Sequence, residues 1–174
     1  MSALRRPDPG EHAEYYARYV DLVPDGDILE ILRDQLGETL ALLQLVPRER
    51  ENYRYAPGKW SLREVVGHVL DTERVMAYRA LAMSRSEGVD LPGMDQEEWA
   101  SHSNAATRSL DDLASEWAAV RRANVHMFAT LPEGAAARRG RASGNDFTVR
   151  SFAWIVAGHE IWHRERLAND YLEK

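Results

Sequence analysis

The chain has 174 residues, a length that suits a single domain with a buried core of ordinary size. Its net charge is −6, whereas a surface that binds duplex nucleic acid needs an excess of lysine and arginine, so we expect no nucleic-acid partner. The absence of cysteine excludes disulfides, thiolate nucleophiles and zinc sites with cysteine ligands. We find neither the apolar segment of a signal peptide nor an apolar run of membrane-spanning length, and we therefore expect a cytoplasmic protein with no membrane partner.

Four segments repeat their apolar residues at the spacing of an α-helix, and strand-like alternation is scarce. The sequence therefore predicts an all-α fold with helices at about Ile28–Val46, Leu62–Ser84, Leu110–Leu131 and Val149–Leu172. Ser61 and Glu64 have the spacing of a capping box at the start of the second helix. Ser109 and Thr148 are the expected N-caps of the third and fourth helices.

The predicted connections between these helices are longer than the roughly 2–8 residues of ordinary helix–helix links. Long links permit a bundle with crossover topology, in which helices that follow one another in sequence are not forced to be neighbours. We expect residues 1–26 to be an N-terminal extension that packs on the bundle, and residues 27–174 to be a single four-helix bundle domain. The segment "GAAARRGRASGN", residues 134–145, has the composition of a mobile surface loop.

The fourth predicted helix contains the pattern H-E-x-x-H in the segment "GHEIWHRERL". His159 and His163 lie near the centre of its apolar stripe, one helical turn apart, so both side chains project from the same face and can converge on one ion. The alternative is a pair of core histidines, each satisfied by a hydrogen bond. The spacing by itself leaves both interpretations open.

The same pattern occurs in zinc proteases, whose third metal ligand lies downstream of the second histidine. Few residues follow His163, and the pattern predicts no strands to hold a peptide substrate, so we expect a different metal chemistry. The third-ligand candidate among the other histidines is His68 in the second predicted helix. Because it lies on the flank of that helix's apolar stripe, periodicity supports it only in part.

Other polar side chains interrupt the apolar stripes of the first three predicted helices: Gln35, Thr39, Glu73, Arg121 and Asn124. Inward-facing charges are rare unless they are paired. One interpretation is a buried ion pair between Glu73 and Arg121 that fixes the register of two helices. The other is a polar wall that binds substrate or supports a metal site. The two are compatible.

Two longer segments, "YAPGKWSLREVVGHVLDTERVMAYRALAMSR" and "AWIVAGHEIWHRERL", resemble the DinB superfamily in its YfiT-like metal-dependent branch. The resemblance covers nearly the whole chain. It implies a four-helix bundle with long crossover loops, a homodimer, and a divalent metal held by three histidines. By motif position these ligands are His68, His159 and His163. The resemblance therefore supports His68 as a ligand more strongly than helical periodicity does.

The resemblance implies a metal site more firmly than a reaction. Related enzymes transfer low-molecular-weight thiols such as bacillithiol or mycothiol, a thiol-dependent isomerase shares the fold, and many members carry only a hydrolase label. We therefore expect a metal-dependent enzyme that transfers a low-molecular-weight thiol to an electrophilic small molecule, with the thiol bound to the metal as its thiolate. The alternatives are a hydrolase that uses metal-bound water and a non-catalytic stress-response bundle that binds a metal or ligand.

This hypothesis assigns roles in metal binding, ligand orientation and substrate binding to named residues. Three imidazoles suit several divalent metals, of which we favour zinc or nickel. Asp71 and Glu160 are the catalytic candidates, as groups that would orient the ligands, with a solvated face as the alternative for both. Arg121 and Asn124 would recognise an anionic group of the substrate, and Trp162 would line the pocket mouth or remain a core residue.

Overall fold

The computed structural model describes residues 4–172 and confirms the all-α class. Its helices are α1 (Ala17–Val20), α2 (Ile28–Gln44), α3 (Leu62–Arg85), α4 (Gln96–His102), α5 (Leu110–Ala129) and α6 (Val149–Arg166). A π-helical turn, Leu167–Leu172, continues α6. The four long helices are those predicted, and they differ from the prediction mainly at their C-terminal ends. Among residues 4–172, none of the helices combines the length and apolarity that crossing a membrane requires.

The helix starts follow the capping chemistry of the sequence in two of three cases. The Ser61 side chain accepts a hydrogen bond from the backbone of Glu64, whose carboxylate accepts one from the Ser61 N–H at 2.6 Å, so the predicted capping box is confirmed. Ser109 caps α5, because its side chain accepts a hydrogen bond from the backbone N–H of Asp112. Thr148 stands at the start of α6, but its hydroxyl donates to Glu11 Oε2 at 2.9 Å, so it does not act as the predicted side-chain cap.

The bundle has crossover topology. Helix α2 packs on α5 and α6, and α3 also packs on α5 and α6. Consequently α2 and α3, which follow one another in sequence, stand diagonally across the bundle, and so do α5 and α6. The long connections make this arrangement possible, since a short link between α2 and α3 would force them to be antiparallel neighbours.

A small sheet occupies the segment that was predicted to be a mobile surface loop, and that prediction was wrong. Strands β2 (Arg139–Ala142) and β3 (Asn145–Thr148) form an antiparallel hairpin, and β2 pairs in parallel with β1 (Asp90–Leu91), which follows α3. Ala135, Ala136 and Ala142 are buried. The segment is held by backbone pairing and by small residues packed beneath it, a pattern that composition does not reveal.

Residues 4–26 lie against the bundle through polar as well as apolar contacts. The indole N–H of Trp154 on α6 donates to the carbonyl of Leu4 at 2.9 Å, and the Arg6 guanidinium lies 4.4 Å above the same indole ring. Arg6 also donates to the carbonyl of Val20 at 2.7 Å, which ties the start of the segment to α1. The division of the chain into residues 1–26 and 27–174 stays a prediction, and residues 1–3 and 173–174 of those ranges lie outside the described residues.

Two apolar clusters fill the bundle, one toward each end. Between the bulk of these clusters each long helix contributes polar side chains to a middle layer: Gln35 and Thr39 from α2, His68, Thr72 and Glu73 from α3, Arg121 from α5, and His159, Glu160 and His163 from α6. All except His163 are buried. We call this set the polar layer. Since buried polar groups are costly unless they have partners, the layer is the part of the core in which function is to be sought.

Candidate metal centre

Three histidines meet inside the polar layer. His68 comes from α3, His159 and His163 come from successive turns of α6, and one ring nitrogen from each lies within 4.8 Å of the others. Nε2 of His68 is 3.2 Å from Nε2 of His159. The structure therefore brings together the three histidines that the motif named, including the flank residue that periodicity supported only in part.

A glycine precedes His68 and His159 in sequence, and close packing explains both. A Cβ atom on Gly158 would lie 1.9 Å from the carbonyl oxygen of Tyr19, because α1 packs directly on α6 at this point. A Cβ on Gly67 would lie 2.6 Å from the Cβ of Ala105 in the turn before α5. The glycines let neighbouring segments approach the backbone beside each histidine, and Tyr19 then packs edge-on against the His159 ring at 5.3 Å between centroids.

Replacing Gly158 with alanine is expected to destabilise the fold by about 1–3 kcal/mol, because the new methyl group meets backbone that no rotamer change can move. The matched control is Gly37→Ala in α2, where a Cβ meets nothing within 4 Å; removing a mid-helix glycine there is expected to stabilise by about 0.5–1 kcal/mol. Urea unfolding followed by circular dichroism measures both. Equal effects of the two substitutions would contradict close packing at Gly158.

Burial keeps the three imidazoles neutral at physiological pH. It lowers the pKa of His68 to about 4. Burial, reinforced by the neighbouring His68 and by the charges of Arg166 and Arg18, lowers the pKa of His163 to about 3. Burial also lowers the pKa of His159 well below its usual range, with the other two histidines acting in the same direction. Neutral imidazole is the form that binds metal ions, so protons compete little with a metal at neutral pH.

The donor set fits a divalent transition metal. Two imidazole nitrogens that share a tetrahedral zinc stand about 3.3 Å apart, given Zn–N bonds of about 2.0–2.1 Å. The 3.2 Å between His68 and His159 is close to that spacing. Three histidines without a carboxylate or thiolate are also the ligand set of catalytic sites that keep a position open for a reactant.

Two cavities reach the histidine cluster. The first, the Trp60 cavity, has a volume of about 270 Å³ and is lined by residues that include Tyr55, Lys59, Trp60, Trp162, His163 and Arg166. The second, the Tyr19 cavity, has a volume of about 310 Å³ and is lined by residues that include Tyr19, His68, Thr72, Arg79, Ser143 and His159. The cluster thus has one histidine in the wall of the first cavity and two in the wall of the second.

The ion pair predicted between Glu73 and Arg121 is present, at 2.8 Å between Arg121 Nε and Glu73 Oε1. Arg121 Nη2 also lies 2.7 Å from Oε2 of Glu160, whose other carboxylate oxygen accepts a hydrogen bond from the Thr39 hydroxyl at 2.5 Å. Burial tends to lower the pKa of Arg121, but the charges of Glu160 and Glu73 outweigh it and raise the pKa above its ordinary value. Glu160 therefore holds α6 to α2 and α5.

The remaining substrate-binding candidates divide between the core and the cavity walls. Asn124 donates to Glu73 at 3.2 Å, and Gln35 donates to the carbonyl of Ala157 at 3.3 Å, so both extend the buried network. Neither they nor Arg121 are among the residues that line the two histidine cavities. Trp162 does line the Trp60 cavity.

The second catalytic candidate, Asp71, lies away from both histidine cavities. It is half-buried, 3.7 Å from Arg74 Nη1, in the wall of a separate surface depression with Trp99. Burial raises the pKa of Asp71. The catalytic roles proposed for Asp71 and Glu160 stay predictions. The contacts of Glu160 with Arg121 and Thr39 are those of a residue that holds helices together.

Several residues of the Tyr19 cavity, among them Thr72, Arg79 and Tyr19, were not singled out from the sequence. Thr72 and Arg79 lie on the same face of α3 as His68, at the four- and eleven-residue spacings of an α-helix, so a search for polar residues in phase with His68 would have found them. Tyr19 has no such signal, because it reaches the site only through the packing of α1 on α6.

Comparisons with known proteins agree with this structure. A protein of Oceanobacillus iheyensis that is provisionally named a metal-dependent hydrolase is 32% identical over 72 residues, which span 41% of this chain and 40% of that relative. The match thus covers less than half the length of the curated relative.

Two solved structures share the fold at 15% sequence identity. YfiT of Bacillus subtilis, described as a provisional metal-dependent hydrolase with an unusual four-helix bundle topology, has a TM-score of 0.69, with 93% of this chain and 89% of that chain covered. A mycothiol-dependent maleylpyruvate isomerase has a TM-score of 0.66, with 88% of this chain and 62% of that chain covered. The family model of the DinB superfamily matches residues 31–167, most of the chain, and the protein therefore belongs to the DinB superfamily.

Proposed function

We propose that the protein is a metal-dependent enzyme that transfers a low-molecular-weight thiol to an electrophilic small molecule. The observation that carries the proposal is the position of the histidine cluster, which is reached from two cavities of similar volume, about 270 and 310 Å³. A transfer between two molecules needs space for both at one centre, whereas hydrolysis needs space for one molecule and water.

His68, His159 and His163 would hold the metal, which we propose is zinc or nickel. When bound, such an ion lowers the pKa of a coordinated thiol or water and so supplies a nucleophile at neutral pH. The protein's part is to keep the imidazoles neutral through burial and to fix their orientation. Trp60 packs on the His68 ring at 4.8 Å and Tyr19 on the His159 ring at 5.3 Å, which limits rotation of both rings.

The Trp60 cavity has the lining that suits the thiol. Lys59 and Arg166 bring positive charge, Glu97 and Asp170 bring negative charge, and several aromatic rings provide apolar surface. Bacillithiol and mycothiol are polar, sugar-containing thiols, and a mixed lining of charged and aromatic groups is typical of sites that bind such molecules. The electrophile would then occupy the Tyr19 cavity.

The names of the similar proteins support two neighbouring activities. The mycothiol dependence of the isomerase supports the use of a thiol, although that structure shares only the fold with this chain. The hydrolase label of the Oceanobacillus relative supports the second candidate, hydrolysis at the same histidines, across the segment that the two chains share. A homodimer also stays a proposal, which sedimentation would decide.

The test is an assay of untagged, metal-loaded protein with bacillithiol or mycothiol and monochlorobimane, whose thiol adduct fluoresces. We expect adduct formation at least about 10-fold above the spontaneous rate, lost in His163→Ala. The same protein is then given 4-nitrophenyl esters without thiol. Ester hydrolysis without thiol transfer would favour the hydrolase. If neither reaction exceeds its background while the metal stays bound, the protein is a binding bundle and the proposal is wrong.

A further inference from the structure

We propose that Arg79 forms a carboxylate-binding subsite at one end of the Tyr19 cavity, so that the electrophilic substrate is a small organic acid. This substrate class rests on the proposed function, whereas the subsite itself depends only on the wall of the cavity.

Arg79 is a buried cation with neutral partners. Its side chain is 3% exposed, and among residues 4–172 it has no carboxylate within ion-pairing distance. Its guanidinium donates to the carbonyl of Pro92 at 2.9 Å and to the Ser143 hydroxyl at 3.0 Å, it is hydrogen-bonded to the Tyr16 side chain, and it lies 3.8 Å from the sulfur of Met76. Buried arginines are normally paired with an anion, and a guanidinium has five N–H donors in a planar fork that matches a carboxylate.

A second deeply buried arginine, Arg121 in the polar layer, shows how such a charge is usually paired. Arg121 is 1% exposed and is held by two carboxylates, those of Glu73 and Glu160. An anionic substrate group would therefore find Arg121 already neutralised. We therefore assign to Arg79 the anion-recognition role that was expected of Arg121, because no carboxylate of residues 4–172 forms an ion pair with Arg79.

The charged residues in the cavity wall also support Arg79 as the anion-binding group. Among the residues that line the Tyr19 cavity no aspartate or glutamate is present, and Arg79 is the one arginine or lysine among them. The Trp60 cavity differs, because acidic and basic residues occur there together.

The polar groups of α3 are arranged along one line from the metal centre to Arg79. His68, Thr72, Met76 and Arg79 all line the cavity and lie on one helix face. The hydroxyl of Thr72 is buried and has no hydrogen-bond partner within the described part of the chain. A buried hydroxyl without a partner costs free energy, and a polar ligand in the cavity would satisfy it.

The distance between the histidine cluster and Arg79 determines how a ligand would lie in the cavity. Eleven residues of α-helix correspond to about 16 Å between His68 and Arg79, and the Arg79 side chain turns back toward the helix N-terminus as far as Met76, which shortens the separation to about 12 Å. A carboxylate at Arg79 is thus remote from the reacting atom at the histidines. It would bind and orient the substrate and take no part in bond formation.

The β-hairpin completes the subsite. Ser143 stands in the turn between β2 and β3 with a φ of +53°, a left-handed conformation that non-glycine residues adopt at some cost, and Gly144 follows with a φ of +75°. This turn places the Ser143 hydroxyl where it accepts a hydrogen bond from the Arg79 guanidinium, and both residues line the cavity. The hairpin therefore holds Arg79 in position at the end of the cavity farthest from the histidines.

The experiment compares benzoate with benzamide, which differ in charge and little in shape, by calorimetric titration of both zinc-loaded and chelator-treated protein. We expect benzoate to bind at least about 10-fold more tightly than benzamide in both forms. Arg79→Gln should reduce this preference to less than about 2-fold. Arg141→Gln, which changes the net charge equally at an exposed position of the same hairpin, should retain it.

The outcomes separate the subsite from its alternatives. A preference that requires zinc and survives in Arg79→Gln would mean that the metal binds the carboxylate, and the subsite would be wrong; so would equal binding of the two probes to the wild type. If circular dichroism shows that Arg79→Gln does not fold, Arg79→Lys decides, since losing the planar fork should lower the preference several-fold and an unchanged preference would overturn the proposal. A retained preference in a protein without thiol transfer would leave the subsite standing and remove only the proposed function.

Discussion

Replacing Arg121 with methionine is expected to lower the free energy of unfolding by about 3–5 kcal/mol, the largest stability effect that the structure predicts. The guanidinium is 1% exposed and holds Glu73 and Glu160, which come from two different helices. Methionine fills much of the same volume but leaves two carboxylates buried side by side without a cation. The cost is therefore electrostatic and not a matter of packing.

Urea unfolding followed by tryptophan fluorescence measures this loss. The control is Arg74→Met on α3, where the arginine is paired with Glu116 at the surface and the expected cost is below about 1 kcal/mol. A second variant adds Glu73→Gln and Glu160→Gln to Arg121→Met and should recover part of the lost stability, because neutral amides replace the unpaired charges. A loss below about 1 kcal/mol for Arg121→Met would show that the polar layer does not join the helices as described.

Replacing His68 with alanine is expected to weaken metal binding by more than about 100-fold, beyond the 10–100-fold typical of losing a group that only supports a ligand. His68 is the only member of the cluster that comes from α3, so its removal leaves two donors on one helix. The measurement is metal content after dialysis, by elemental analysis, together with the rise in melting temperature on adding zinc. Because a bound metal stabilises the folded state, that rise should disappear in the variant.

The matched control for this substitution is His126→Ala. His126 is exposed on α5 and lies outside the cluster, so its removal should leave both the metal content and the zinc-dependent melting temperature unchanged. Equal metal content in wild type, His68→Ala and His126→Ala would mean that the three-histidine site is not the binding site.

The helices of this protein were predictable because their signals are local. Ser61 and Glu64 mark the start of α3 through contacts within one turn, and the apolar spacing of each long helix depends on residues a few positions apart. The sheet was not predictable for the opposite reason. Its hairpin pairs by backbone hydrogen bonds, its strands show no apolar alternation, and its third strand lies in a distant segment.

In the site, too, the features with local signals were predictable and those that depend on contacts between helices were not. His159 and His163 were visible from their spacing on one helix, whereas His68 was identified from the resemblance to the DinB superfamily. The ion pair between Glu73 and Arg121 was predicted correctly, but the sequence could not show that Glu160 joins this pair or that, among residues 4–172, no carboxylate pairs with Arg79. Pairing between helices depends on which helices are neighbours, and the crossover topology that decides this is not encoded in any one segment.

The polar layer joins stability to function. His159 and Glu160 are consecutive residues of α6, and while His159 faces the histidine cluster, Glu160 faces the network of Arg121. Rotation of α6 about its axis would therefore disturb both sets of contacts together. We infer that the network holds α6 at the angle that directs His159 and His163 toward His68.

The central claim is that the three histidines bind one divalent metal ion. Its most direct test is a crystal structure of protein purified without a histidine tag, with diffraction recorded on both sides of the absorption edges of zinc and nickel. The account predicts one strong anomalous peak, at about 2.0–2.1 Å from a nitrogen of each of His68, His159 and His163. A map in which metal-saturated protein shows no peak at these residues, with the His68 and His159 rings joined by a hydrogen bond instead, would contradict it.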